Sequence, residues 1–541
     1  MRSYSLCLFV VHLLFAQETQ HPYQPGIDAL HYDFVLQIPD TGKSFLGTAS
    51  LLVCRNAPVG EIRLDLIGMT VTEVLLNRVK CTFSQDTASV SIALPSYGGR
   101  NDTFRIVLRY SGTPKDGLIF SSTGNGGWSL FGDNWPNRAR YWLPCIDHPS
   151  DKATVQWTIE TLSSQTVVAN GELIDSSPIS SGSLKEKRTR TVWRSNVPIP
   201  TYTMVIAVAP FICYDLGLTA MGLSATQAGV DQMIYVYHGA EKFLPGAFAK
   251  AGAIVDFFSR TVGPFPYEKL AHVQSSTRYG GMENASAIFY NAQAFSQGWM
   301  SEDLIAHETS HQWFGDDVTP REWGHIWLSE GFATYFTALW TEHSKGEKAF
   351  IQTLERSRKG ILGSPVVSQR PVIDTTQIQL MQLLNTNSYN KGGWVLHMLR
   401  HEVGDEIFFR AIKSYYQRYK HGAASSDELL AEFERHSSRS LGWFFDQWLR
   451  KPGFVDCTIT WNYDQSSHSI STTVAQSARF GFFRFPLVIQ IEMADGSSRR
   501  VTIEVPPEER STIQFPDRFE GQPKRLIFDP DVQLLAKISI H

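Results

Sequence analysis

The chain has 541 residues, 43% hydrophobic, 12% aromatic and 19% charged, the composition of a globular protein with large cores. That length exceeds what one core supports and predicts about three to four domains. The 49 Lys+Arg against 53 Asp+Glu give a net charge of −4, and with no basic run or polybasic amphipathic segment this argues against nucleic acid or a membrane surface as partner.

Residues 1–16 read as a cleaved signal peptide. Arg2 supplies the positive start, Leu6 to Phe15 the apolar stretch, and Leu14-Phe15-Ala16 a cleavage site before Gln17. The expectation is an exported protein, periplasmic or extracellular, with no membrane span, since no other stretch is long and apolar enough. Removing Cys7 leaves Cys54, Cys81, Cys145, Cys213 and Cys457, without zinc-knuckle or redox spacing. Cys54 and Cys81 read equally as a disulfide or as buried thiols.

Residues 17–212 carry an all-β pattern. His31 to Ile38, Phe45 to Cys54, Thr103 to Tyr110, Thr154 to Glu160 and Thr201 to Val208 are short, β-branched or aromatic, and bounded by turn residues. The serine-rich stretch Ser176 to Ser183 predicts a hairpin loop. Residues 213–452 turn helical, with Phe243 to Ser259 apolar at helical spacing until Gly263-Pro264. A short strand, Ala271 to Ser275, precedes Tyr279-Gly280-Gly281-Met282-Glu283-Asn284. Further helices are expected at Trp394 to Glu402, Glu406 to Tyr419 and Asp427 to Ser437. Residues 453–541 return to strands, at Asp456 to Trp461, Ser469 to Val474, Arg484 to Glu492, Arg500 to Val505 and Arg525 to Phe528, with Pro506 to Glu509 as a turn. The predicted class is multidomain α+β.

The chemistry sits in the middle third. His307-Glu308-Thr309-Ser310-His311 is followed after 18 intervening residues by Glu330. On a helix the two histidines share one face and can bind a single metal, with Glu330 as a third, anionic ligand from a second helix. Three protein ligands leave a position open, which marks a catalytic zinc, one per chain. Glu308 stands beside the first ligand, placed to act as general base. Ser301 is the expected N-cap of this helix, and Gly315 closes the segment. Gly280, Gly281 and Met282 form a strand edge able to pair with a peptide, and Glu283 would receive its ammonium group. Tyr389 offers a phenol to a developing oxyanion.

These pieces occur in a telling order: Gly280-Gly281-Met282-Glu283-Asn284, the two histidines with Glu308, Glu330, then Tyr389-Asn390-Lys391-Gly392. The order resembles the gluzincin aminopeptidases, the family of aminopeptidase N and the leukotriene hydrolases. Gly263-Pro264-Phe265-Pro266-Tyr267, Gln312-Trp313-Phe314-Gly315 and Leu143-Pro144-Cys145-Ile146-Asp147 are similar to its flanking stretches. The resemblance implies an N-terminal β-saddle, a thermolysin-like catalytic domain and a C-terminal β-sandwich. It also implies a zinc aminopeptidase acting on peptides with a free N-terminus. Many members add a helical domain over the site; here the chain ends at His541, which implies a more open cleft. Asp316 and Ser329 stand where Asn is usual. The β-domain glutamine that helps bind the substrate amine has no evident counterpart, and Asp133, Asn134 and Trp135 occupy that neighbourhood. A zinc endopeptidase, an epoxide hydrolase on the same scaffold and a non-catalytic binding relative are the alternatives.

Overall fold

The structure is a computed structural model that describes residues 24–96, 102–123, 127–179, 187–219 and 229–541. The expected signal peptide and Cys7 lie outside the described residues. An N-terminal β-rich region, a helical catalytic region and C-terminal sheets follow one another, as the sequence pattern predicts.

The N-terminal region is built on an eight-stranded sheet. Ile27–Gln37 pairs parallel with Lys152–Leu162 and antiparallel with Phe45–Arg55. Buried and exposed positions alternate along Phe45–Arg55, so one face of the sheet closes on the core. The predicted strand Thr201 to Val208 is corrected in part. Thr201–Thr203 is a 3-10 turn, and only Ile206–Ala209 is extended. Side chains win there over the ladder: Asn134 Nδ2 donates to the carbonyls of Thr201 and Met204, and Asn170 Oδ1 accepts from Val205 N–H. Within Ser176 to Ser183, Ser176–Pro178 continues a strand paired with Thr189 to Thr191, and 180–183 lie outside the described residues. Cys54 and Cys81 are half-buried and form no disulfide among the described residues.

The catalytic region opens with a five-stranded sheet in the order Ile212–Thr219, Val230–Val236, Lys269–Ser275, Ala287–Asn291, Gly281–Met282. The last is a two-residue edge strand, antiparallel to its neighbour. The predicted helix Phe243 to Ser259 is broken. A short turn of helix, Leu244–Ala247, is separated from α1 (Ala251–Thr261), and Gly246 lowers the helical propensity of the stretch before the break. α2 (Glu302–His311) and α3 (Trp327–Lys345) pack antiparallel. Glu302 Oε1 accepts from Trp340 Nε1 at one end, and His311 meets Ser329 at the other. α4 (Glu347–Leu362) follows Gly346 and was not legible as a helix: it buries only Phe350, Leu354 and Ile361. α5 (Gly392–Val403) and the predicted helices Asp405–Tyr419 and Ser426–Ser437 follow, and a short helix, Gly442–Trp448, ends this region. Among the described residues no helix is long and apolar enough to cross a membrane.

The C-terminal region packs a four-stranded against a three-stranded sheet. Two of its strands, Arg510–Arg518 and Ala536–Ile540, escaped the sequence reading because both are sheet edges with weak alternation. It is tied to the catalytic region by the Arg358–Asp529 ion pair at 2.6 Å and by His397 Nε2 on the Val532 carbonyl at 3.0 Å.

Candidate active site

The metal motif is where its spacing put it. Ser301 Oγ accepts from Leu304 N–H at 3.1 Å and caps α2, so the helix presents His307 and His311 four residues apart on one face. Their Nε2 atoms lie 3.3 Å from each other. From the first turn of α3, Glu330 brings Oε2 to 3.5 Å from His307 and 3.4 Å from His311. Among the described residues nothing hydrogen-bonds that buried oxygen. An orphaned buried carboxylate oxygen is costly unless a cation satisfies it, so the donor set fits a metal of borderline hardness such as zinc.

Two of the three ligands, His311 and Glu330, are hydrogen-bonded from behind. His311 Nδ1 lies 3.1 Å from the Phe314 carbonyl and 2.9 Å from Ser329 Oγ, which leaves Nε2 for the metal. The Tyr389 hydroxyl donates to Glu330 Oε1 at 2.8 Å, and its ring stacks on His307 at 6.0 Å. The turn after α2 depends on Gly315: its φ is +126°, and a side chain there would strike Ser329 Oγ at 2.4 Å. The N-terminal region braces the same turn. Tyr202 OH donates to the Gly315 carbonyl, and Lys152 Nζ donates to the carbonyls of Asp316 and Asp317 at 2.8 and 2.6 Å.

The remaining expected residues converge on the same cavity of about 620 Å³. Glu308 is buried, faces the cavity and accepts no hydrogen bond from the described residues. Gly281 lies against its carboxylate, and a Cβ on Gly281 would sit 2.3 Å from the Glu308 carboxyl. Glu283, Glu308 and His311 each bring one ligand-type atom within 4.8 Å of the others. Gln312 fixes this arrangement: Nε2 donates to the Glu283 carbonyl at 2.9 Å and to Asp316 Oδ2 at 2.8 Å, while Oε1 accepts from Ser286 N–H at 2.7 Å. The sequence had shown Gln312 only as a flanking residue. Asp316 therefore serves the edge-strand turn, and Ser329 serves His311.

Charge at the site is dominated by carboxylates. Burial raises the Glu283 pKa to about 7, opposed by His311 and reinforced by Glu330. Burial works to lower His311, yet Glu283, Glu330 and Glu308 together raise it to about 10. Tyr389 is pushed well above the ordinary phenol by burial and by Glu330, so it remains a proton donor.

Of the three residues left unassigned near the amine site, only Trp135 lines the cavity. Asp133 is ion-paired with Arg138 at 2.5 Å, and Asn134 braces backbone and accepts from Trp142 Nε1. Trp135, Tyr279, Met282 and Leu384 give the Glu283 end an apolar wall. Trp135 was placed near the amine site only through the resemblance, and Leu384 carried no motif and could not have been found by spacing.

Comparison with known proteins agrees with this geometry. Residues 28–203 match the Peptidase M1 N-terminal domain and residues 247–448 the Peptidase family M1 domain. A probable aminopeptidase 1 of Sulfurisphaera tokodaii is 24% identical over 74% of this chain and 50% of its own length. Aminopeptidase N of Lactococcus lactis is 25% identical over 78% of this chain and 51% of its own. The chain thus spans about half the length of these curated relatives, and less of others. A point mutant of the M1 zinc metallopeptidase from Deinococcus radiodurans, solved with a Tyr-Ser-Ala substrate, superposes with a TM-score of 0.69 at 27% identity, covering 79% of this chain and 95% of that one. Legionella pneumophila aminopeptidase A shares the fold, with a TM-score of 0.81 at 16% identity, over 96% of this chain and 60% of its own. Two matched domains spanning well over half the sequence, and a metal-ligand set in the M1 catalytic portion, place this chain in peptidase family M1.

Proposed function

We propose that this protein is a zinc aminopeptidase that removes single residues from the N-termini of peptides. The observation that carries the reading is Glu283: a buried carboxylate without a hydrogen-bond partner from another of the described residues, at the end of an edge strand and within reach of Glu308 and His311. A carboxylate so placed fixes which peptide bond reaches the reacting groups.

His307, His311 and Glu330 would hold the zinc, which when bound supplies Lewis acidity toward the scissile carbonyl and the attacking water. The chain's own residues do the rest. Glu283 pairs with the substrate ammonium and sets the register. Gly281 and Met282, on the free edge of the sheet, pair with the peptide backbone. Glu308 takes the proton of the attacking water at its carboxylate and passes it to the leaving amine. Tyr389 donates from its hydroxyl to the oxyanion of the tetrahedral intermediate. The wall of Trp135, Tyr279, Met282 and Leu384 beside Glu283 suits a large apolar first residue.

The deciding experiment compares free and N-acetylated peptides. An aminopeptidase cleaves the first and barely touches the second; equal cleavage means an endopeptidase. Export through cleavage after Ala16 belongs to the same proposal and is read by N-terminal sequencing of the protein recovered outside the cytoplasm. A mature protein that still begins at Met1 refutes it.

A further inference from the structure

The cavity continues past the metal site, and its far wall holds a cation with no partner. Arg356, on α4, is the one lysine or arginine among the described residues that line the cavity, against Glu283, Asp303, Glu308 and Glu330. Asp303 is paired with Lys345 at 3.2 Å. Arg356 is exposed and makes no hydrogen bond or ion pair with any of the described residues.

The direction of a bound peptide follows from the elements. Along the edge strand from Glu283, Gly281 lies against Glu308 and Gly280 against Leu304, one turn nearer the start of α2. Because α2 and α3 run antiparallel, a chain leaving Glu308 that way travels along α3 from Glu330 toward Thr337 and Thr341, both of which line the cavity. α4 doubles back on α3 at Gly346, with Thr337 nine residues before that glycine and Arg356 ten after it. Arg356 therefore stands level with Thr337. The neighbouring Ser357 accepts from Asn390 at 3.3 Å, next to Tyr389, which fixes this part of α4 against the site. Seven residues of helix from Glu330 to Thr337 are about 10 Å, or roughly three residues of extended peptide.

Along the wall between, the hydroxyls of Thr337, Thr341 and Thr353 are bonded to carbonyls of their own helices; Thr334, Ser357 and Asn390 add neutral polar groups, and Arg356 is the one lysine or arginine among the described lining residues. A short peptide is a zwitterion, and the cleft presents a carboxylate at one end and a guanidinium at the other. We propose that Arg356 is a second anchor that binds a carboxylate two or three residues beyond the scissile bond, making short peptides with a free C-terminus preferred substrates. This rests on the aminopeptidase reading.

The test measures kcat/KM for Leu-Gly-Gly and for its C-terminal amide, with leucine p-nitroanilide as a substrate lacking any carboxylate. The acid should be favoured about three- to tenfold, as suits a solvent-exposed but bidentate guanidinium–carboxylate pair, mainly through KM. In Arg356→Gln the acid-to-amide ratio should fall to about one, and Arg356→Lys should retain part of it; a ratio taken within one variant is insensitive to general losses. Leu-Gly-Asp-amide separates the sources. Recovery of the acid's rate means that a side-chain carboxylate serves too, and a rate equal to the amide's restricts the site to a free C-terminus. A wild-type ratio of one with the anilide turned over, or a preference that survives in Arg356→Gln, overturns the anchor alone. An enzyme inert toward anilide and peptides alike defeats the aminopeptidase reading instead.

Discussion

The helical side of the cleft and the strand side opposite carry charges of the same sign but hold them differently. On the helices, His311 has two partners behind it, and Glu330 has Tyr389 on one oxygen. On the strand, the Glu283 carboxylate is left free, and the segment is located through its backbone by Gln312. The first arrangement fixes groups that must not move during bond breaking. The second leaves a buried charge unpaired, which is tolerable only where a ligand supplies the counter-charge. Damage on the helical side should therefore abolish chemistry on every substrate, and damage on the strand side should erode discrimination while chemistry persists.

The sharpest break is at the metal. His311→Ala should remove both zinc and activity, because two ligands do not hold the ion against competing chelators. Full stoichiometric zinc in that variant would mean that the ligands lie elsewhere. Next, Glu308→Gln keeps the shape of the site and removes the base. Zinc content should be retained while turnover falls by about two orders of magnitude or more on all substrates. Tyr389→Phe should cut kcat by about two to three orders with modest change in KM, since an oxyanion donor acts mainly in the transition state. An unchanged kcat would leave Tyr389 only its bond to Glu330.

The strand side should fail differently. Glu283→Ala should lower kcat/KM for aminoacyl substrates by roughly ten- to hundredfold, the worth of a charge-assisted hydrogen bond, with zinc content intact. If the variant loses as much on N-acetylated as on free peptides, Glu283 supports the site's structure and does not read the amine, and the contrast between the two sides disappears.

That contrast also explains what the sequence could reveal. Metal chemistry depends on residue type at fixed helical spacing, so His307, Glu308, His311 and Glu330 could be read before any fold was known, and the cap at Ser301 with them. Phe45–Arg55, with one buried face, was legible as a strand, whereas Arg188–Pro200, whose middle alternates in a similar way, and the edge Ala536–Ile540 went unread. The rest of the pocket was not legible. Leu384 and Arg356 come from the segment before Tyr389 and a mostly polar helix, and they share a cavity only because the chain folds back on itself. Thr201–Thr203 was misread for a related reason: the side chains that bend it, Asn134 and Asn170, are distant in sequence.

The mildest prediction probes how much rigidity the helical side needs. Ser329 occupies a position where the resemblance led us to expect Asn, and its hydroxyl lies 2.9 Å from His311 Nδ1. Removing such a partner behind a metal ligand usually costs about 10- to 100-fold in metal affinity or activity. Here the Phe314 carbonyl, 3.1 Å from the same nitrogen, keeps the Nδ1–H tautomer in place when the hydroxyl is lost. The space Ser329 Oγ vacates is also small, because the oxygen is wedged against Gly315. Ser329→Ala should therefore weaken zinc binding by about tenfold or less, measured by competition with a chelator, with kcat at saturating zinc nearly unchanged. Ser329→Asn, in contrast, must fit a larger side chain between α3 and the Gly315 turn. A loss in Ser329→Ala as large as that of His311→Ala would mean that the carbonyl cannot orient the ring alone, and that the hydroxyl is what holds His311 to the metal.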